Sequence, residues 1–246
     1  MVCRPWRQTQ EEGMTQLLTI AVDGPVGAGK STVSDEVAAR LGILHLDTGA
    51  MYRAAGLAVS RRKIGRDDEA AVTAAVAEAD ISVRYENGRQ ITLLDGEDVS
   101  TAIRTQEAGA VASAVSRFPG VRRQMVFLQQ QMAKTTPMLL DGRDIGTVVL
   151  KDAPVKIYLT AAPEARAMRR LKQLEEKGEK ADFAAILAEV NARDRQDMNR
   201  ETDPLRQAED AVLVDSSEMD FEQTVEAILR IVEEKTGVKA RKGAQA

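Results

Sequence analysis

The sequence is poor in the residues that build disulfides, histidine metal sites and aromatic cores. Its 246 residues include one cysteine, Cys3, and one histidine, His45, and aromatic residues make up 3% of the chain. One cysteine excludes an internal disulfide and fits a reducing compartment. One histidine excludes His-rich metal sites and argues against a Ser-His-Asp catalytic triad. The core must therefore be built from aliphatic side chains, which are abundant.

Long apolar runs and a strong charge of one sign are missing as well. No segment approaches the roughly 18 apolar residues that a membrane-spanning helix needs, and the N-terminus lacks the apolar stretch of a signal peptide. The net charge of −4 argues against a dedicated nucleic-acid binder. We therefore expect a cytoplasmic protein whose partners are neither nucleic acids nor membranes, and we expect a monomer.

One stretch near the N-terminus carries a specific binding signature. Residues 17–22 are mostly apolar, and they run into the segment DGPVGAGKST. This segment satisfies the pattern G-x-x-x-x-G-K-[ST]. Glycines let backbone N–H groups turn inward around an anion, and the helix that follows adds its positive N-terminal end. The predicted nucleotide-binding residues are Gly24, Pro25, Val26, Gly27, Ala28, Gly29, Lys30, Ser31 and Thr32.

The rest of the chain alternates short apolar strands with amphipathic helices. This alternation predicts a parallel sheet flanked by helices, the α/β fold class of phosphate-loop NTPases. Ligands on such sheets bind at the carboxyl ends of the strands. Three of these ends are polar, so we expect them to converge on one crevice. They are Asp23-Gly24, Asp47-Thr48-Gly49 and Asp141-Gly142-Arg143-Asp144.

Between residues 67 and 134 the pattern changes. An Ala-rich helix precedes two period-two strands joined by Asn87-Gly88, a strong hairpin signal, and two helices separated by Phe118-Pro119-Gly120 follow. We interpret this part as an inserted α+β subdomain. The remaining boundaries are a core of 15–66 and 135–237, a short lid at about 174–182, a disordered extension at 1–14 and a flexible tail at 238–246. The alternative for the extension is a binding arm built on Trp6.

Arginines are the first candidates for catalysis. Phosphoryl transfer between two anions needs positive charge around the transferred group. Arg143 follows an apolar strand and is expected beside the phosphate loop. Arg193, Asp197 and Arg200 are spaced i, i+4, i+7, which places them on one helix face. The alternative for this helix is a solvated face with ordinary ion pairs.

Two aspartates and the lone histidine complete the candidates. Asp141 stands where phosphate-loop enzymes place an acidic residue near Mg²⁺, with Ser31 as the other metal ligand; the alternative is an Asp that caps the next turn. Asp144 could accept a hydrogen bond from a substrate amine, as acidic residues do with cytosine. His45 is interpreted as a packed or edge residue, because the chain has no second histidine and its one cysteine, Cys3, falls in the predicted disordered extension.

Together these motifs closely resemble those of bacterial cytidylate kinases. The matching segments are DGPVGAGKST, LDTGAMYR, EDVSTAIRTQEAGAVASAVSRFPGVR, LLDGRDIGTVV, DAPVKIYLTA and RDRQDMNR, and the resemblance extends from Leu17 to about Thr236. It implies transfer of a phosphoryl group from ATP to CMP or dCMP with Mg²⁺, with UMP a poorer acceptor. It also implies that the insert is an enlarged nucleoside-monophosphate-binding domain.

The resemblance further implies roles for single residues on the acceptor side. Thr48 and Arg53 would meet the acceptor phosphate and nucleoside. Ser113, Arg122 and Asp144 would read the cytosine edge. Thr48 departs mildly from relatives that carry serine there, and the hydroxyl is kept.

Four further residues are implied to act on phosphate and pentose. Arg143 and Arg200 would contact phosphate, and Arg193 and Asp197 would hold the pentose. The implied catalytic set is Lys30, Arg143, Arg193 and Arg200. Because the segment FPGVRR contains two arginines, Arg123 is the alternative to Arg122 at the cytosine edge.

Other functions leave different signatures. Another small phosphate-loop kinase could take adenylate or shikimate as its acceptor. A nucleotide-dependent switch or regulatory ATPase or GTPase would be expected to carry an N-K-x-D motif or a second regulatory domain, and the sequence has neither. An inactive homologue is disfavoured by the intact Lys30, Ser31 and Asp141.

Overall fold

The structure is a computed structural model that describes residues 17–241. In chain order the strands are β1 (Thr19–Asp23), β2 (Leu44–Asp47), β3 (Ile81–Glu86), β4 (Arg89–Leu94), β5 (Glu97–Asp98), β6 (Met138–Gly142), β7 (Val155–Thr160) and β8 (Val212–Asp215). The α-helices are α1 (Lys30–Leu41), α2 (Thr48–Arg61), α3 (Glu69–Glu78), α4 (Gln106–Val115), α5 (Pro119–Ala133), α6 (Pro163–Glu176), α7 (Phe183–Asn199) and α8 (Phe221–Thr236).

Five of these strands form a parallel sheet in the order β2-β6-β1-β7-β8. This arrangement confirms the α/β class predicted from the alternation of strands and helices. In the register, Asp47 pairs with Asp141 and Asp23 pairs with Gly142. The polar carboxyl ends of three neighbouring strands therefore meet at one edge, as the sequence predicted.

Side-chain caps set the starts of several helices. Asp47 is the N-cap of α2, and its carboxylate accepts a hydrogen bond from the backbone N–H of Ala50. Asp182 caps α7 in the same way. Asp220 and Gln223 form a reciprocal capping box at α8. Each of these caps involves residues three apart in the chain, so the start of each helix depends on local sequence.

The insert is a three-stranded antiparallel sheet, β3-β4-β5, with α3, α4 and α5. The hairpin turn at Asn87 and Gly88 has positive φ at both residues, 52° and 79°, as a type I′ turn requires. Two side chains of the hairpin reach the edge strand β2. The Tyr85 hydroxyl donates to the carbonyl of His45 at 2.9 Å, and the side-chain oxygen of Gln90 accepts from the backbone N–H of Asp47 at 2.7 Å.

Within residues 17–241, buried apolar side chains form three clusters. The largest is continuous from the sheet into the insert and includes Met51, Leu140, Val76 and Met125. A second cluster packs α1 and α8 against β1, β7 and β8. A small third cluster, centred on Ala167, holds α6 and α7 together as a hairpin. The predicted lid, 174–182, is the tip of this hairpin.

Two short elements were not predicted. A π-helical turn, Ile145–Val149, follows β6, and a 3₁₀ turn occupies Ala102–Arg104. Residues 1–14 of the predicted extension, including Trp6, lie outside the described residues, as does the end of the predicted tail. Within residues 17–241 no helix is long and apolar enough to cross a membrane.

Candidate active site

An open cleft of about 320 Å³ lies at the carboxyl edge of β1, β2 and β6. Its volume lies within the range of small-molecule sites. Sixteen of the predicted site residues line it: Val26, Gly27, Gly29, Lys30, Ser31, Thr32, Thr48, Arg53, Ser113, Arg122, Asp141, Arg143, Asp144, Arg193, Asp197 and Arg200. The other three predicted residues, Gly24, Pro25 and Ala28, are buried parts of the phosphate loop.

The backbone of the phosphate loop explains its glycines. Gly24 has φ of +152°, and a Cβ there would lie 1.9 Å from the carbonyl oxygen of Leu159. Gly29 is the N-cap of α1 with φ of 85° and has no side-chain cap. Because no side chain satisfies the first N–H groups of α1, they can bind an anion.

Lys30 is buried at the base of this loop. Its Nζ donates a hydrogen bond to the carbonyl of Pro25 at 2.7 Å. Burial and the nearby guanidinium of Arg143 lower the pKa of Lys30 to about 7. An anion bound in the loop would favour the charged form of this amine, which is the condition for contacting phosphate.

Ser31 and Asp141 form a pair that fits Mg²⁺. The Ser31 hydroxyl donates to the Asp141 carboxylate at 2.9 Å. Mg²⁺ prefers oxygen ligands and is usually held by one or two carboxylates together with waters and substrate phosphates. Among residues 17–241 no group of three or more His, Cys, Asp and Glu could hold a metal ion. This donor set therefore suits a metal that shares its coordination with a nucleotide.

His45 is buried on the edge strand β2, as its interpretation as a packed or edge residue predicted, and it also supports Asp141. The buried imidazole lies 2.8 Å from a carboxylate oxygen of Asp141 and 2.5 Å from one of Asp35. Burial acts to lower the pKa of His45, but these two hydrogen bonds outweigh it and raise the pKa to about 10. Burial raises the pKa of Asp141, and the contacts with His45 lower it below its ordinary value.

The opposite wall of the cleft carries arginines. Arg143 donates to the Asp197 carboxylate at 2.8 Å, and Arg53 donates to Asp47 at 2.7 Å. The buried Nε atoms of Arg53 and Arg193 and the buried hydroxyl of Tyr52 have no hydrogen-bond partner among the described residues. The side chains of Tyr52, Arg53 and Arg193 line the cleft, and their unpaired groups are hydrogen-bond donors, the kind of group that binds an anion.

Arg122, rather than Arg123, reaches the cleft. Arg122 is 2% exposed, whereas Arg123 is exposed to solvent on the same helix. The Arg122 guanidinium pairs with the carboxylates of Asp144 and Asp203. Arg200 also lies near Asp144, with 3.5 Å between a guanidinium nitrogen and a carboxylate oxygen. The structure therefore settles which of the two arginines stands beside Asp144.

Three supporting residues were missed as side chains with a role. Asp23 accepts hydrogen bonds from the backbone N–H groups of Ile145 and Gly146, both at 2.7 Å, and so anchors the π-helical turn. Arg166 and Asp194 form a buried ion pair between α6 and α7. The polar end of β1 marked Asp23, whereas nothing local marked the other two.

The place of the phosphate loop identifies the class of protein. The loop joins the central strand β1 to α1, and arginines from the insert, β6 and α7 face it across one cleft. This arrangement is that of a phosphate-loop kinase.

Comparison with known proteins gives the family. The sequence profile described as cytidylate kinase matches residues 20–234. A cytidylate kinase of Caldicellulosiruptor bescii is 45% identical over 214 residues, which are 87% of this chain and 95% of the relative. One of Nocardia farcinica is 47% identical over 216 residues, 87% and 93% of the two chains. The chain belongs to the cytidylate kinase family.

A solved structure shows a similarity of fold alone. An uncharacterised protein from Eubacterium ventriosum superposes with a TM-score of 0.50 at 10% identity, covering 88% of this chain and 98% of that one.

Proposed function

We propose that this protein is a cytidylate kinase that transfers the γ-phosphoryl group of ATP to CMP or dCMP, with UMP a poorer acceptor. The observation that carries the proposal is the shared cleft. The phosphate loop lines one side of this cleft. The other side is lined by the Asp144–Arg122 pair and by arginines whose Nε atoms have no partner among the described residues. We further propose that the enzyme acts as a monomer in the cytoplasm.

The donor side of the reaction rests on the phosphate loop. Backbone N–H groups and the Lys30 amine would hold the β- and γ-phosphates of ATP. Mg²⁺ would be held by Ser31 and Asp141 and, when bound, neutralises negative charge on the outer phosphates. His45 keeps the Asp141 carboxylate oriented through its hydrogen bond.

The acceptor side needs positioning rather than a base. A nucleoside monophosphate is already an anion at neutral pH, so its phosphate oxygen can attack in line without losing a proton. Arg143, Arg193 and Arg200 would neutralise charge around the transferred group. Arg53 and Thr48 would hold the acceptor phosphate and nucleoside, and Asp197 the pentose.

Base recognition falls to the other end of the cleft. Cytosine presents an amine donor where uracil presents a carbonyl oxygen, so a carboxylate such as that of Asp144 favours cytosine. Arg122 and Ser113 also line the cleft and would contact the remaining polar atoms of the base. The tip of the α6–α7 hairpin would close as the lid and exclude water, the competing nucleophile.

A coupled assay of ADP release tests the proposed function. The purified protein is offered ATP, Mg²⁺ and, in turn, CMP, dCMP, UMP, AMP and shikimate. We expect rapid ADP release with CMP and dCMP and slower release with UMP. Preference for AMP or shikimate, or an ATPase rate that no acceptor changes, would refute the proposal.

Two variants test the assigned residues in the same assay. Lys30→Ala and Arg143→Ala should each lower turnover at least about 100-fold, the scale of losing one contact in the transition state. Arg123→Ala is the matched control, because its guanidinium is exposed outside the cleft. It should stay within about twofold of the wild type, and near-normal turnover of either test variant would exclude its role.

A further inference from the structure

Asp203 lies in the loop between α7 and β8 and contacts two cleft arginines at once. Its carboxylate accepts a hydrogen bond from Nε of Arg122 at 2.7 Å. Its backbone carbonyl accepts one from Nε of Arg200 at 2.6 Å. The residue has φ of 47°, in the left-handed region that Asp, Asn and Gly adopt most readily. Asp203 therefore combines an uncommon backbone conformation with an ion pair to a fully buried arginine.

The positive charge of Arg122 has to be balanced inside the protein. Arg122 is almost completely buried, and a buried guanidinium is stable only when carboxylates and hydrogen bonds compensate it. Asp144 and Asp203 both pair with Arg122, and Arg200 lies 3.5 Å from Asp144. Two arginines and two aspartates therefore form one balanced group. Without Asp203, Asp144 would have to compensate both guanidinium groups.

We propose that Asp203 is a positioning residue for recognition of the acceptor base. Because the Asp203 carboxylate pairs with Nε of Arg122, Asp144 does not have to compensate this guanidinium alone. An oxygen of the Asp144 carboxylate then stays available to accept a hydrogen bond from an amine on the ligand. The ligand class is a nucleoside monophosphate with an exocyclic amine on a pyrimidine. This inference rests on the proposed function, because it assigns Asp144 to the base.

The same contacts connect separate parts of the chain. Arg122 belongs to α5 of the insert, Asp144 follows β6 of the sheet, and Arg200 ends α7. Asp203 joins the first and last of these through one residue, by its side chain and its carbonyl. Its position therefore sets where the insert stands relative to the helix that carries Arg193 and Asp197.

Two substitutions separate the carboxylate from the backbone. Asp203→Asn keeps the left-handed conformation and an oxygen for Arg122 but removes the charge. Asp203→Gly keeps the backbone and the carbonyl for Arg200 but removes the side chain. Glu201→Gln, in the same loop and exposed, is the matched control for a lost negative charge.

Steady-state kinetics with CMP and UMP are the first measurement. We expect Asp203→Gly to raise KM for CMP about 10-fold, because Asp144 would then compensate Arg122 and lose one hydrogen bond to the amine of the base. KM for ATP should stay within twofold of wild type. The ratio of kcat/KM for CMP over UMP should fall by a similar factor, since UMP lacks the amine. Asp203→Asn should fall between wild type and Asp203→Gly, and Glu201→Gln should match wild type.

Thermal unfolding and calorimetric titration with CMP separate the possible failures. An unchanged CMP:UMP ratio in both Asp203 variants overturns the inference. So does a parallel rise of KM for CMP and ATP with a lowered melting temperature, because that is the pattern of a purely structural residue. If the wild type phosphorylates neither CMP nor dCMP, the proposed function itself fails and the inference falls with it. If the wild type is active on CMP and both Asp203 variants behave like the wild type, the inference about Asp203 fails and the proposed function stands.

Discussion

At the scale of the residue, the cleft is built from ionisable groups removed from water. Asp23 shows the energetic consequence most clearly. Burial raises its pKa to about 7, even though two backbone N–H groups favour the charged carboxylate. Those N–H groups belong to Ile145 and Gly146, immediately after Asp144 in the chain. Asp23 therefore holds the segment that presents Arg143 and Asp144, at a cost in stability when it ionises.

The sign of this effect gives a prediction about pH. The ordinary pKa of an aspartate is 3.8, so the native state binds more protons than the unfolded state between about pH 4 and pH 7. The contribution of Asp23 to stability is present below the unfolded pKa and is lost as pH rises through the folded pKa. We expect the free energy of unfolding of wild type, minus that of Asp23→Asn, to fall by on the order of 2 kcal/mol from pH 5 to pH 7.

Urea unfolding of both proteins at several pH values provides the measurement. Other groups titrate in both proteins, so their contributions cancel in the difference. A difference that stays constant across this interval would show that Asp23 is already ionised at pH 5.

At the scale of the element, the α6–α7 hairpin is fastened to the phosphate loop by one arginine. Arg166 of α6 donates to the carbonyl of Val26 at 2.8 Å. Its guanidinium also makes a bidentate contact with the Asp194 carboxylate, with hydrogen bonds of 3.1 and 2.5 Å. Asp194 lies on α7 beside Arg193. Movement of the hairpin is therefore linked to the position of the loop that would hold ATP.

This link predicts strong coupling between the two side chains. Removing one partner leaves a buried charge uncompensated, so Arg166→Met and Asp194→Leu should each cost about 3–5 kcal/mol of unfolding free energy. The double variant should cost at least about 2 kcal/mol less than the sum of the two. A double-mutant cycle by urea unfolding measures this coupling.

An exposed pair on the same protein serves as the control. Arg61 and Glu97 contact each other through two hydrogen bonds at the surface. Their cycle with alanine should give a coupling below about 1 kcal/mol, because solvent screens exposed charges. Additive costs for Arg166 and Asp194 would show that α6 and α7 are not coupled through this pair.

At the scale of the whole molecule, the insert and the sheet share one hydrophobic cluster. Met51 and Leu140 of the core pack in the same cluster as Val76, Val121 and Met125 of the insert. The hairpin hydrogen bonds to β2 add polar contacts to this junction. We therefore expect the insert and the sheet to be stabilised together.

Unfolding of a core variant tests this shared stability. Met125 on α5 is 0% exposed, and Met125→Ala should lower the free energy of unfolding of the whole chain by about 2–5 kcal/mol. Phe127, on the same helix, is 56% exposed, so Phe127→Ala should change it by no more than about 0.5 kcal/mol. Far-ultraviolet and near-ultraviolet circular dichroism should report one coincident transition in each protein. Two separate transitions would show an insert that unfolds independently.

Features that depend on a few adjacent residues were predicted from the sequence, whereas features that depend on distant residues were not. The phosphate loop and the Asn87-Gly88 turn were predicted because each is a pattern of a few adjacent residues. The π-helical turn after β6 was missed because its N–H groups bond to Asp23, more than a hundred residues away. The roles assigned by family resemblance to the residues of the cleft all stay predictions for the kinetic experiments.

By itself, the sequence determined the class of fold, the phosphate loop and the meeting of three polar strand ends, since periodicity and turn chemistry act over short distances. Only the tertiary structure decided that Arg122 enters the cleft while Arg123 does not, that His45 supports Asp141, and that Asp203 pairs with Arg122. These outcomes depend on which strands become neighbours and which side chains lose water. Burial and long-range charge pairing are properties of the packed molecule, so no local pattern of residues encodes them.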